Sequence, residues 1–293
     1  MKNFKYKRQA AVAVMVLTIG LFALYFINHP SLWQQIKATP PDVFIIVLLL
    51  YFVTVLALAV VTVATLRLCK KDLPAEESIL LTMYTAVVNF FGPLQSGPAF
   101  RGVYLKQKHG LSLKKYAVAS SVYFFFFGGL SVLMLFSGVL KWWLILIGIL
   151  GLVGALVIER SKKYGERFSD LDMKPLYLLV IATAAQIAII SLIYFVELRS
   201  VATNISYSQV IIYTGAANLA LFVSITPGAI GFRESFLLLS QRLHHISPSD
   251  IIAATTIDRA MYVVFLVLMA IYIFGTHAKK NFKTGYFHEH KTW

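Results

Sequence analysis

Apolar residues in this chain run in unbroken blocks of about 17 to 25, the length at which a helix crosses the hydrocarbon core of a bilayer. Six blocks have this form: residues 10–27, 43–66, 117–140, 142–158, 176–196 and 250–274. Hydrophobic residues make up 58% of the chain and charged residues 14%, too little polar surface to solvate a soluble domain of this size. The expected fold class is therefore all-α and integral to a membrane, with about six spanning helices. Before the first block stand Lys2, Lys5, Lys7 and Arg8, and after it Asn28-His29-Pro30. No small-x-small cleavage pattern follows, so the block is read as a retained span rather than a signal peptide.

Two further segments do not fit a simple span. Residues 79–109 run apolar to Phe91, break at Gly92-Pro93-Leu94-Gln95-Ser96-Gly97-Pro98, and resume with Arg101, Lys106 and Lys108. Residues 208–243 run apolar to Ile225, break at Pro227-Gly228-Ala229-Ile230-Gly231, and resume with Arg233 and Glu234. Proline removes a backbone donor and glycine permits tight turns, so each break leaves unpaired backbone groups. In hydrocarbon such groups must be buried in protein or face a wet cavity. Re-entrant helix-break-helix hairpins meet that condition; a pair of kinked ordinary spans is the alternative.

Charge separates these readings. With both hairpins re-entrant, the cytoplasmic regions hold four Lys and Arg in 1–9, eight in 67–116, five in 159–175 and four in 275–293, out of 27 in the chain. The outer side and second hairpin keep Lys37, Lys141, Arg199, Arg233 and Arg242. Such a bias places both termini of a multi-pass membrane protein in the cytoplasm. It also accounts for the formal net charge of +14 through anionic head groups, without nucleic acid.

The interrupted segments resemble one another. Tyr84-Thr85-Ala86-Val87-Val88-Asn89 precedes the first break and Tyr213-Thr214-Gly215-Ala216-Ala217-Asn218 the second, while residues 111–122 align without gaps to 246–257. Each unit reads span, hairpin, span, over 43–140 and 176–275, and the two run in opposite senses across the membrane. The organisation expected is an N-terminal span and outer loop (1–42), a first repeat (43–140), a connecting span and cytoplasmic loop (141–175), a second, inverted repeat (176–275) and a basic cytoplasmic tail (276–293). Inverted repeats with broken helices place polar half-helix ends near the midplane, which favours transport over catalysis.

Ionisable groups inside a membrane are costly, and here they are Arg101, Arg233, Glu234, Asp258 and Arg259. Neighbouring helical positions diverge by about 100°, so Asp258 and Arg259 require different partners. Asp258 is expected to neutralise Arg233, and Arg259 to face Glu234 or an anionic substrate; structural ion pairing and substrate binding are compatible readings. Arg101 suits bidentate phosphate binding or, alternatively, interfacial snorkelling. Asn89 and Asn218 are placed to bridge the unpaired backbone of the breaks at Pro93, Gly97, Pro227, Gly228 and Gly231. The single cysteine, Cys69, excludes a disulfide framework. No catalytic triad, metal motif, P-loop or nucleotide fingerprint is present, so no catalytic residue, metal or cofactor is expected.

Pro227-Gly228-Ala229-Ile230-Gly231-Phe232-Arg233-Glu234 resembles the Pro-Gly-x-x-Gly-x-x-Glu element of the lysylphosphatidylglycerol synthase transmembrane family, the flippase-like domain. Pro93 through Gly97, followed by Arg101, is similar to that family's first element. Pro98 stands where the family commonly places a carboxylate. The resemblance implies movement of a phospholipid or lipid-linked head group across the cytoplasmic (inner) membrane of a prokaryote. Larger members carry a soluble aminoacyl-transferase domain, and the sequence to Trp293 contains none, so lipid aminoacylation is not expected. The expected function is a lipid translocase, with Arg101, Arg233 and Arg259 receiving the head group and Glu234 and Asp258 balancing their charge. Its rivals are an integral-membrane enzyme or accessory subunit of lipid or glycan synthesis, and a lipid-binding regulator without turnover. Anionic or phosphate-bearing lipids are the expected partners, nucleic acid is not, and a homo-oligomer stays open.

Overall fold

The computed structural model describes residues 27, 30, 34, 37, 39–91, 96–139, 173–202, 204–223, 229 and 231–288. Within them lie helices α1 (Pro41–Leu68), α2 (Ala75–Phe91), α3 (Ser96–His109), α4 (Leu113–Leu135), α5 (Met173–Val201), α6 (Tyr207–Val223), α7 (Phe232–Leu239), α8 (Gln241–His244) and α9 (Pro248–His288). No strand occurs among the described residues. Four helices are long and apolar enough to cross a membrane: α1, α4, α5 over Lys174–Val201, and α9 over Pro248–Ile273. They correspond to the blocks at 43–66, 117–140, 176–196 and 250–274. The blocks at 142–158 and, apart from Ile27, at 10–27 lie outside the described residues.

Local chemistry sets the helix ends. Pro41 opens α1, where its missing N–H is harmless, and Asp42 and Arg67 sit at the ends that suit their charges. At the start of α9 the Ser247 hydroxyl donates to Asp250 Oδ2 at 2.7 Å and accepts from the Asp250 amide at 3.2 Å. Threonines inside the spans turn inward on their own backbone: Thr54, Thr62 and Thr65 donate to the carbonyls of Leu50, Leu58 and Val61 at 2.7–2.8 Å. A hydroxyl with that bond no longer needs water.

The helices pack as antiparallel pairs. The end of α1 meets the start of α5 through Val61, Ala64, Leu179 and Ala182. On α4 and α6 the contacts run from Gly128 against Phe222 to Gly138 against Ile212, with Gly215 between them on Ser131 and Leu135. Helices α2 and α3 fold back on each other, Ser96 Oγ donating to the Val88 carbonyl at one end and Tyr104 OH to Glu77 at the other. Large apolar side chains point away from the bundle, among them Ile45, Phe125, Ile181 and Ile271, each more than 60% exposed. Outward apolar faces on several helices at once fit lipid and not water.

Two boundaries differ from the sequence expectation. Ser96, Gly97 and Pro98 belong to the first turn of α3 and not to the connection before it. Proline is tolerated in a first helical turn, because the amides there lack intrahelical partners. Helix α9 also continues past residue 274 to His288, since no proline interrupts the basic segment and lysine sustains a helix.

Candidate functional site

Helix α7 starts at a built corner. Gly231 takes φ +76° and Ala229 φ +55°, a left-handed conformation that costs a side-chain-bearing residue. Glu234 reaches back to the corner, its Oε2 accepting from the Gly231 amide at 2.9 Å. The other oxygen, Oε1, takes Arg259 of α9 through Nε at 2.8 Å and a terminal nitrogen at 2.5 Å. That same guanidinium donates to the Ala229 carbonyl at 3.4 Å. Arg259 thereby clamps the break to α9.

One residue along both helices the charges are reversed. Arg233 of α7 pairs with Asp258 of α9 at 2.6 Å, and both side chains are less than 10% exposed. Tyr51 of α1 donates its hydroxyl to the other oxygen of Asp258 at 2.5 Å. The Arg233 guanidinium lies over the Tyr194 ring at 5.4 Å, a cation–π contact strengthened by exclusion of water. The Arg233 Nε meets no acceptor among the described residues. Adjacent residues on one helix thus pair with adjacent residues on the other, which the 100° step between neighbours requires.

A further carboxylate enters from α5. Glu197 is 1% exposed, lies against Asp258, and neither of its oxygens meets an N–H or O–H donor among the described residues. Sequence reading missed it because the apolar block of α5 was ended at residue 196. A rule that flags every ionisable group within one turn of a span would have found it. Tyr51 and Tyr194 carried no such signal, since tyrosine is common in spans.

The first hairpin holds Arg101 differently. Its Nε donates to the Thr85 hydroxyl at 3.3 Å, and its charge reaches Tyr123 of α4, which itself donates to Gln186 Oε1 at 3.2 Å. Arg101 makes no ion pair among the described residues, and no hydrogen bond among them joins it to the cluster around Arg233. Asn89 Oδ1 accepts from the Gly97 amide at 3.3 Å. Gly97 is needed for close approach: a Cβ there would stand 2.7 Å from the Thr85 carbonyl oxygen. Asn218 is fully buried, and neither amide atom finds a partner among the described residues. Pro93, Pro227 and Gly228 lie outside them.

The far end of this hairpin is fastened by Glu77. One of its oxygens accepts from Tyr104 OH at 2.8 Å, Lys108 Nζ at 2.8 Å and His109 Nε2 at 2.7 Å. Burial works to raise the Glu77 pKa, but the bonds from Lys108, His109 and Tyr104 outweigh it and hold the carboxyl at about 2. A depressed carboxyl stabilises the fold above its unfolded value, near 4.3, and loses that contribution as pH falls toward about 2. Glu77→Gln should cost about 1 kcal/mol at neutral pH, a modest figure because Lys108 is half in solvent. Thermal unfolding in detergent should show the difference from wild type shrinking below about pH 4.

No curated protein and no solved structure matches the chain. The family model described as the lysylphosphatidylglycerol synthase TM region matches residues 9–270, a stretch that contains both hairpins and every charged residue of the site. The chain therefore belongs to that family and is a multi-pass membrane protein of a lineage associated with lipid.

Proposed function

We propose that this protein moves an anionic lipid head group across the cytoplasmic membrane of a prokaryote. The two hairpins, α2–α3 and α6–α7, enter from opposite faces as an inverted repeat, with both termini in the cytoplasm. The state of Arg101 carries the reading. Extending the gapless match of 111–122 with 246–257 by one residue sets Tyr123 opposite Asp258. The first half thus offers a neutral phenol where the second offers a carboxylate, and the family's other carboxylate position is Pro98. Among the described residues Arg101 is left with only neutral oxygens beside it, a cation whose counter-charge is free to come from a phosphate.

The helix packing supports the repeat. Apart from the contacts of the short α8, exchanging α1 with α5, α2 with α6, α3 with α7 and α4 with α9 turns the set of packed pairs into itself: α1–α2 becomes α5–α6, α3–α4 becomes α7–α9, α1–α4 becomes α5–α9, and α2–α9 becomes α4–α6. Helices α1 and α5 pair with each other across the exchange. Two halves so related can swap conformations and open the polar groups to either side in turn.

Arg101→Ala should slow head-group movement in proteoliposomes by about tenfold or more, the worth of one good charge-assisted phosphate contact. Arg101→Lys should recover only part of it, because an ammonium lacks the planar fork. Wild-type rates in both variants would remove Arg101 from the head-group path. Topology is tested with Cys69 removed and single cysteines introduced. Asp72→Cys and Lys114→Cys, flanking the first hairpin, should react from the cytoplasmic face, and Asn204→Cys and Ser249→Cys, flanking the second, from the outer face. A pair divided between the two faces would mean that its segment crosses the membrane.

A further inference from the structure

We infer that Glu197 and Asp258 form a proton-binding site, whose occupancy is tied to the ion pair between Arg233 and Asp258. The pairing is the observation. Glu197 is 1% exposed and without a donor among the described residues, and another carboxylate, Asp258, lies against it. Two carboxylates in contact hydrogen-bond only through a proton held by one of them. Asp258 already accepts from Tyr51 and Arg233, so it is the ionised member and Glu197 carries the proton.

Charge counting gives the same answer independently. The cluster contains two guanidinium groups, Arg233 and Arg259, and three carboxyls, Glu197, Glu234 and Asp258. One bound proton makes it neutral. The groups facing Glu197 are Asp258 from α9, Arg233 from α7, Tyr213 from α6, Tyr51 from α1 and Tyr194 on its own helix; Tyr262 of α9 faces Asp258. Glu234 is occupied by Arg259. Arg233 is therefore the cation that compensates the pair.

One turn along α5 from Glu197, Val201 lines a cleft of about 420 Å³ with Gln209, His245 and Asp250, the side from which the proton is inferred to enter. Coupling then follows, and this part rests on the translocase reading. A phosphate-bearing head group that takes Arg233 leaves Asp258 without its cation, and the pair takes a second proton from a hydronium ion. One O–H bond of hydronium breaks, one carboxyl O–H bond forms, and a water molecule is left. When the head group leaves and Arg233 returns to Asp258, that proton is released. One anion and one proton cross together.

Infrared spectroscopy of the purified full chain tests the proton site without transport. At neutral pH the wild type should have a protonated-carboxyl C=O band that shifts in D2O and on 13C-labelling of glutamate, and Glu197→Gln should lack it. Absence of the band from wild type, or its survival in Glu197→Gln, overturns the site; the labelling arm needs no variant and so does not depend on one folding. The coupling is read in proteoliposomes with a fluorescent phosphatidylglycerol. A pH gradient of one unit should bias the wild-type distribution about tenfold toward the alkaline side. Lipid that moves with no bias in wild type overturns the coupling. Lipid that does not move at all overturns the translocase reading, while the infrared result still stands.

Discussion

Arg233→Ala should destabilise the fold by about 3–5 kcal/mol, the cost of stranding a buried partner charge. The substitution removes the only cation paired with Asp258 among the described residues, and it also empties the face of Tyr194. Asp258 keeps the Tyr51 hydroxyl but must then either stay charged without its cation or take up a second proton beside Glu197, and both are costly. Asp258→Ala should cost less, about 2 kcal/mol, because Glu197 is placed to ionise and take over Arg233. That order, arginine loss worse than aspartate loss, is specific to a two-carboxylate site; an isolated ion pair would suffer about equally from either change. Chemical unfolding in lipid or detergent measures both. Replacing the pair together, as Arg233→Met with Asp258→Leu, should recover much of the Arg233→Ala loss, since hydrophobic replacements of a buried pair are often neutral. Head-group movement should vanish in the double variant and in both single alanine variants, the folded fraction being checked separately.

Gly215→Val is expected to be comparably severe, through packing alone. A Cβ at this position would stand 2.4 Å from the Leu135 amide nitrogen and 2.6 Å from the Ser131 carbonyl oxygen. Both are backbone atoms of α4, so no side-chain rotation relieves the clash and the two helices must separate. Even Gly215→Ala should cost about 2–3 kcal/mol, and valine more. Gly129 provides the control, because nothing lies within 4 Å of a Cβ there. Gly129→Ala should be neutral or stabilising by up to about 1 kcal/mol, the usual gain of alanine over glycine inside a helix. Equal losses at the two positions would mean that α4 and α6 do not meet as described. Close small-residue contact matters more in lipid than in water, because apolar side chains gain little by leaving one apolar medium for another.

Much of the site was legible before any coordinates. Helical spacing required different partners for Asp258 and Arg259; Arg233 was expected for the first and Glu234 or an anionic substrate for the second, and the pairs found are Arg233 with Asp258 and Arg259 with Glu234. Both breaks were legible too, since glycine and proline mark backbone that cannot continue a helix. Gly97 was assigned to a break for its residue type and instead sits in the first turn of α3, against Thr85 and Asn89. Glycine signals either a turn or a close approach, and only the neighbouring helix tells which.

Four of the expected spans, both interruptions and most of the charges at the site were legible in the sequence alone, because a hydrocarbon solvent imposes its demands locally: every backbone group must be paired within its own segment, and every charge needs a reason to be there. Tertiary structure alone decided that Glu197 of α5, Tyr51 of α1 and Asp258 of α9 converge, that Arg101 meets no carboxylate among the described residues, and that Gly215 seats α4 on α6. Those contacts depend on how each helix is rotated about its axis. Spans this uniformly apolar carry little pattern to fix that rotation, so packing against the other helices fixes it instead.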